Sequence, residues 1–441
     1  MRGRLSIAAA AALGGPDAAH AVRYTVKSGG GACGASDTNC GSLSAAAKAM
    51  RAGDALAISP GRYEESPRFT SAGLVVRGAK AAPGVVIEGT VTFAAPSGRA
   101  SLLEKLVVRA AGAGATAVVV SGTSGVSLRD ASLFSADADA LKIAGAAGST
   151  VTRSRLLAGA AAVATGGGAL TLDSSILSGG AGPGGAGIAV LAPPQYTVVP
   201  AASVVARHVT IAGAPAAIAP PAPPGATATL NVTDSIVLGT APPAAAFIRT
   251  ERASAPAALF VNAATRNFRL RRGSPALDRG QITPGDSQTD VDGQPRTLGR
   301  ASDLGADELD TVAPQVTVTR PRAGQALSGG SRLRLAGRAQ DPSGVASVVF
   351  SLEVLPRSGR TCRWFDRERA LVTRSCSNPV LVRAKLSQGR WRFNGPRRLR
   401  LPAGRYRVRV AGTDRSGVTG NAAPARRRSV TFRVGGAAGA P

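Results

Sequence analysis

Histidine is almost absent from this chain of 441 residues, which holds His20 and His208 and no other. Without a Gly-x-Ser-x-Gly elbow or a His to serve it, a Ser/His/Asp nucleophile set cannot be assembled. Cysteine is scarce too: Cys33 and Cys40 lie close in sequence, as do Cys362 and Cys376, with no further Cys or His at zinc-ligand spacing, so no metal is expected. Aromatics make up 4%, which disfavours a core of large rings and removes the base-stacking platforms that specific nucleic-acid binding needs. Beyond the first residues no apolar run approaches the ~20 residues of a membrane span. No glycine loop of the Walker or dinucleotide type occurs; the glycines follow Ala and Pro, as loops do.

Acid is short in one region above all. From residue 311 onward there are 26 Lys and Arg against 5 Asp and Glu, so most of the net charge of +27 belongs to the C-terminal third. Such a field attracts polyanions, here an extracellular polysaccharide or a cell-wall polymer. The start, with Arg2 and Arg4, an apolar Ala run and Ala19-His20-Ala21, reads as a signal peptide over 1–21 cleaved after Ala21. Export to an oxidising space predicts one local disulfide in each pair, Cys33 with Cys40 and Cys362 with Cys376. The expected location is secreted or cell-surface, and the expected state a monomer.

What is abundant is a repeat. "GVSLRDASLFS", "STVTRSRLLA", "ALTLDSSILS" and "TLNVTDSIVL" each place an aliphatic, a small residue and an aliphatic at fixed offsets: Leu128/Ala131/Leu133, Val151/Ser154/Leu156, Leu172/Ser175/Leu177 and Val232/Ser235/Val237. Starts some twenty residues apart and no helical periodicity predict a stack of coils made of strands and turns. At the bend of each unit stand Glu88, Lys105, Asp130, Arg153, Ser174 and Asp234, read as an exposed ladder of weak ion pairs with solvated heads. The Gly/Pro/Ala-rich stretches 179–201 and 213–228 read as loops projecting from the coil.

"GSLSAAAKAM" predicts a short helix capped by Ser42, with Leu43, Ala46, Ala47 and Met50 on one face. Gly53-Asp54, Pro60-Gly61 and Tyr63 follow it. With these residues, and with "NFRLRRGSPALDRG" and "DVDGQPRTLGRASDLGADE" near 267–308, the chain resembles secreted bacterial proteins of the right-handed parallel β-helix type, the architecture of pectate lyases and polygalacturonases. The second pair of segments is similar to the closing motif of the choice-of-anchor Q subgroup. The resemblance implies one right-handed parallel β-helix over 22–310. Residues 311–441 alternate in strand fashion between turns at Asp341-Pro342, Ser343-Gly344 and Ser416-Gly417 and resemble bacterial immunoglobulin-like modules. The expected fold class is therefore all-β, a β-helix followed by an Ig-like β-sandwich, with Cys362 and Cys376 stapling a loop.

Three groups of residues are candidates for function. Asp137, Asp139 and Lys142 are the best remaining acid and base set for a lyase or glycosidase, with calcium as a cofactor only in the lyase case; the plainer reading is an Asp-rich turn. Arg332, Arg334, Arg405, Arg407 and Arg409 alternate along strands and predict a guanidinium-lined face for a polyanion. In the closing segment, Asp290, Asp292, Gly293, Arg296, Asp303, Gly305 and Glu308 read as a structural cap over the end of the coil, with Arg296 pairing to Asp303 or Glu308; a calcium loop is the alternative. His208 reads as a partly exposed strand residue. Recognition or adhesion on polysaccharide is the favoured function, with an enzyme or a structural spacer as alternatives.

Overall fold

The computed structural model describes residues 21–435 except 32, 34–37, 80–83, 145–147, 181–184, 191–201, 220–227, 254, 331, 356–359, 367–369, 397–399 and 416. The signal peptide read at 1–21 lies outside these apart from Ala21, as do parts of the loops read at 179–201 and 213–228. Two compact units divide the chain, one ending at Glu308 and the other starting at Leu309.

The first unit is a solenoid-like stack of two large parallel sheets. Eleven strands, including Ala55–Ile58, Ser101–Glu104, Val126–Arg129 and Ala228–Thr233, make one sheet; fifteen make the second, whose strand order folds back through Thr210–Ile218. Register sets the repeat into columns. Leu103, Leu128, Val151, Leu172, Ala206 and Val232 stack in one; Val108, Leu133, Leu156, Leu177, Ile211 and Val237 stack in another. All twelve are buried. Aliphatics of similar size one coil apart fill most of a narrow interior, with Phe69 and Phe93 stacked near its start.

Between the two columns comes the bend. Lys105, Asp130, Arg153, Ser174, His208, Asp234 and Arg249 all take positive φ, from 44° to 58°. An L-residue there costs about 1–2 kcal/mol, and the stack offsets it: N–H groups at this corner donate to the coil above, as from Asp130 to Thr152 O (3.2 Å), Arg153 to Asp173 O (3.1 Å) and Ser174 to Arg207 O (3.1 Å). The next residue points inward, and its smallness has a use. Ser154, Ser175 and Ser235 are buried, and their Oγ atoms accept from the N–H groups of Ala131, Ser154 and Val209 at 3.1–3.2 Å. The small position of the repeat is thus a hydroxyl ladder inside the turn.

Two expectations change here. Glu88 is not part of the bend row; it ends Val85–Glu88 in the second sheet and pairs with Arg62. The ladder is also less solvated than expected: Asp130 meets Arg153 at 2.7 and 2.9 Å, and the buried Asp234 meets Arg249 at 2.7 and 2.8 Å. Nor are the Gly/Ala stretches only loops. Ala186–Val190 pairs with Ala161–Thr165, and Thr210–Ile218 extends through 213–218 to pair with Ala186–Val190, because small side chains let the added turn of chain stack closely.

At the start of the stack, helix Leu43–Ala49 is capped by Ser42 Oγ, which accepts from Ala45 N at 3.0 Å, and it buries Leu43, Ala46 and Ala47 in the solenoid core. Cys33 and Cys40 are bonded.

The closing segment departs from the cap expected of it. After the hairpin of Phe260–Asn262 and Asn267–Leu270, residues 271–308 form no strand or helix and run along the side of the stack, against the bend row, as a strap. Arg155 pairs with Asp292, and Arg269 reaches the same carboxylate at 2.7 Å. Ser287 N donates to Asp173 Oδ2 (2.6 Å), Gln281 N to Asp234 Oδ1 (3.1 Å) and Gly305 N to Asp234 O (2.9 Å). Arg296 has the charge of Glu308 nearby, but its hydrogen bonds go to other groups. It is buried and donates to Gly305 O (3.1 Å) and Ser174 Oγ (2.9 Å). Gly293 and Gly305 take φ of 80° and 90°, turns that glycine makes without cost.

The wealth of carboxylates has a direct reason. A buried strap without regular structure must pair its N–H groups with side chains. Asp290 accepts from Asp292 N, Gln294 N and Glu308 N at 2.7–3.1 Å, Asp303 from Asp278 N at 2.8 Å, Asp307 from Leu270 N at 2.7 Å, and Glu308 from Leu298 N and Asp303 N at 3.0 and 2.9 Å.

Burial also shifts their protons. Asp307 is raised to about 7 and Glu308 to about 8, desolvation being the largest cause in both. The folded chain therefore holds protons that the unfolded chain releases well below these values, so stability falls as pH rises through 7 and 8. His208, buried and lowered by desolvation and then by Arg296, acts oppositely: below its unfolded value of about 6.5 the unfolded chain gains a proton first, and stability falls on the acid side. Thermal denaturation of the N-terminal unit should show a midpoint that falls from about pH 5 to about pH 8 and levels off above, because the two acids outweigh the one imidazole. Glu308→Gln, less stable overall because one N–H loses its acceptor, should show a shallower decline; an unchanged slope would contradict the assignment.

The second unit has a four-stranded antiparallel sheet, Gln315–Arg320, Arg334–Gln340, Arg390–Asn394 and Lys385–Ser387, and a mixed eight-stranded sheet around Val345–Leu355, Gly404–Asp414 and Ser429–Val434. Its core is aromatic, against the expectation from overall composition: Trp391, Phe350, Phe365, Phe393, Tyr406 and Phe432 are all buried. Sparse aromatics are concentrated where two sheets, not stacked coils, must be filled. Cys362 and Cys376 are bonded, joining the ends of the hairpin of Thr361–Asp366 and Ala370–Ser375.

Candidate functional site

Two strands of the four-stranded sheet, Arg334–Gln340 and Arg390–Asn394, alternate between buried and exposed residues. Leu335, Ala339, Trp391 and Phe393 face inward, while Arg334, Arg338, Arg390, Arg392 and Lys385 face out and are exposed. Pairing gathers them, with Arg338 opposite Arg390 and Lys385 opposite Arg392. Gly337 makes the support possible: a Cβ there would fall 1.8 Å from Thr317 O and 2.5 Å from Trp391 Nε1. Its absence lets Trp391 donate to Thr317 O at 3.0 Å beneath the cations.

Like charges directly opposed across strands are destabilising by about 0.2–1 kcal/mol per pair. No salt bridge reaches any of these five side chains among the described residues. Beside them an open groove of about 940 Å³ is lined by Arg320, Arg322, Arg334, Arg392 and Asn394 with no carboxylate. Such a surface supplies guanidinium forks, fit for bidentate bonds to carboxylate or sulfate, without a competing internal anion.

The single guanidinium face expected from the sequence is split. Arg332 and Arg334 belong with this sheet, the former bridging Arg400 at its edge. Arg405, Arg407 and Arg409 lie on Gly404–Asp414 in the other sheet. Arg407 and Arg409 stand 3.8 and 3.7 Å from the buried carboxylate of Glu353, and Arg405 is opposite Arg433. Alternation assigns a residue to one side of its strand; only pairing assigns the strand to a sheet. Arg338, Arg390, Arg392 and Lys385 were the members missed, and their alternation in "GRAQ" and "KLSQGRWRF" was the available signal.

Asp137 and Asp139 do not share a strand. They sit in the bend before Leu141–Ile143. Asp137 accepts from Gly114 N at 3.1 and 3.0 Å, and Asp139 accepts from Ala161 N at 3.0 Å, each tying its coil to a neighbour. Burial raises the Asp139 carboxyl, with Lys142 opposing. His208 is buried at the bend and not a partly exposed strand residue; its Nε2 lies 3.4 Å from Asp286 Oδ2 under the strap. Among the described residues no clear catalytic metal or acid/base constellation appears, and no helix is long and apolar enough to cross a membrane. No protein-family model and no curated protein matches the chain.

Proposed function

We propose that this is a secreted or cell-surface protein that binds an acidic polysaccharide, with a right-handed parallel β-helix over 22–310 as its recognition body and an Ig-like sandwich over 311–441 as a polyanion-holding module. The observation that carries the reading is the outward face of Arg334, Arg338, Arg390, Arg392 and Lys385, which holds like charges together with no anion among the described residues to neutralise them. The parallel stack and the two disulfides support an extracellular setting.

The test is retention of the full chain on immobilised polygalacturonate or heparin across a salt gradient. The triple variant Arg338→Glu, Arg390→Glu, Arg392→Glu should weaken binding by roughly tenfold or more at low salt. Reversing Arg426, Arg427 and Arg428 instead, on the exposed turn of Ala425–Arg428, changes net charge equally and should cost much less. Equal losses would mean that net charge and not this face does the binding.

A further inference from the structure

The second unit brings together three carboxylates that neither the cationic face nor the strap uses. Asp310 lies at its start, Asp341 in the turn after Arg334–Gln340, and Asp414 at the end of Gly404–Asp414. One oxygen from each falls within 4.8 Å of the others. Asp310 and Asp414 are buried, at 2% and 1% exposure, while Asp341 is partly open to solvent.

Local turns occupy one oxygen on each side chain. Asp310 Oδ1 accepts from Val312 N at 2.9 Å, Asp341 Oδ1 from Ser343 N and Oγ at 2.8 and 2.6 Å, and Asp414 Oδ1 from Val418 N at 2.8 Å. Asp310 Oδ2 is buried and has no hydrogen-bond partner among the described residues. Among the described residues no salt bridge reaches Asp310 or Asp341, and Arg415, beside Gly344, forms none with them. A desolvated carboxylate oxygen facing two further carboxylates is an arrangement that a bare fold disfavours.

We propose that Asp310, Asp341 and Asp414 bind calcium, which pins the first residues of the C-terminal unit to its turns at 341–344 and 414–418. The ligands are all hard oxygens with no His or Cys, which selects against zinc and copper. Two oxygens on one calcium, each about 2.3–2.6 Å from it, stand at most about 5 Å apart, and these oxygens meet that limit. Three carboxylates leave several positions for water, and the open side at Asp341 admits it.

The experiment uses the full chain stripped with a chelator, followed by thermal unfolding and calorimetric titration with calcium chloride. At about 1 mM calcium, a concentration that extracellular modules use, the C-terminal transition should rise by roughly 5 °C or more, and magnesium should do less. Asp310→Asn keeps the acceptor for Val312 N and removes a charge, so without calcium it should be as stable as the parent or more so, while the calcium shift disappears. Asp341→Asn, at the open side, should lose it as well. Absence of calcium heat and shift in the parent would overturn the proposal, as would a shift undiminished in Asp310→Asn and Asp341→Asn.

Discussion

Replacing Arg296 by Met destabilises the N-terminal unit by about 3–5 kcal/mol, the loss expected when one member of a buried charge network is removed. Arg296 is 1% exposed and lies among Glu308, Asp290, Asp173 and Asp307, whose charges oppose the lowering of its proton affinity by burial. It joins residues 122 apart through Ser174. Met fills similar space, so packing alone predicts a small effect; the carboxylates left without a cation decide the sign. Two consequences distinguish this from a simple cavity. Arg296→Lys should rescue poorly, since one ammonium cannot span the separate acceptors that a guanidinium fork reaches. Arg296→Met should recover part of its stability as pH is lowered from 9 through 8 and 7, where Glu308 and Asp307 accept protons. Urea or thermal unfolding followed on the first of two transitions measures it; a loss under about 1 kcal/mol, with no pH dependence, would show the strap to be held by packing alone.

Glu104→Gln is expected to cost a comparable amount, about 3 kcal/mol. The Glu104 carboxylate is fully buried between the guanidinium groups of Arg77 and Arg129, one coil to either side. Glutamine keeps the shape and removes the charge, leaving two cations about two strand spacings apart with an amide between them. The double variant with Arg129→Met should be less than additive, because the second change removes the repulsion that the first exposes. The same cycle on the exposed pair of Arg62 and Glu64, 3.9 Å apart, should show almost no coupling, and equal coupling in both would contradict the role of burial.

Much of the coil was legible in sequence because its contacts repeat. Leu128, Val151 and Leu172 touch their counterparts at a near-constant spacing, and composition records that period. The strap was legible as a distinctive motif but not in its place. Its bonds to Asp173, Ser174 and His208 join residues 88–122 apart and occur once each, so no periodicity marks them. His208 was misread for the same reason: Arg207 before it is half-buried, and its partner Asp286 comes from the strap, far along the chain. Among the arginines, sequence gave the side of each strand correctly and could not choose between sheets. Asp341 and Asp414 each open an Asp-x-Ser-Gly tetrapeptide, and this shared sequence was the signal that they belong together; Asp310 carried none.

The strap also bears on how the coil can evolve. Solenoids commonly lengthen or shorten by duplicating or losing a repeat. Here Asp292, Ser287, Asp286 and Gly305 must meet Arg155, Asp173, Arg207 and Asp234 in fixed succession, and a coil inserted among these would carry every later partner out of reach by one strand spacing. The strap is a ruler, and the stretch that it measures is fixed in copy number, while the coils before Lys105 remain free to multiply.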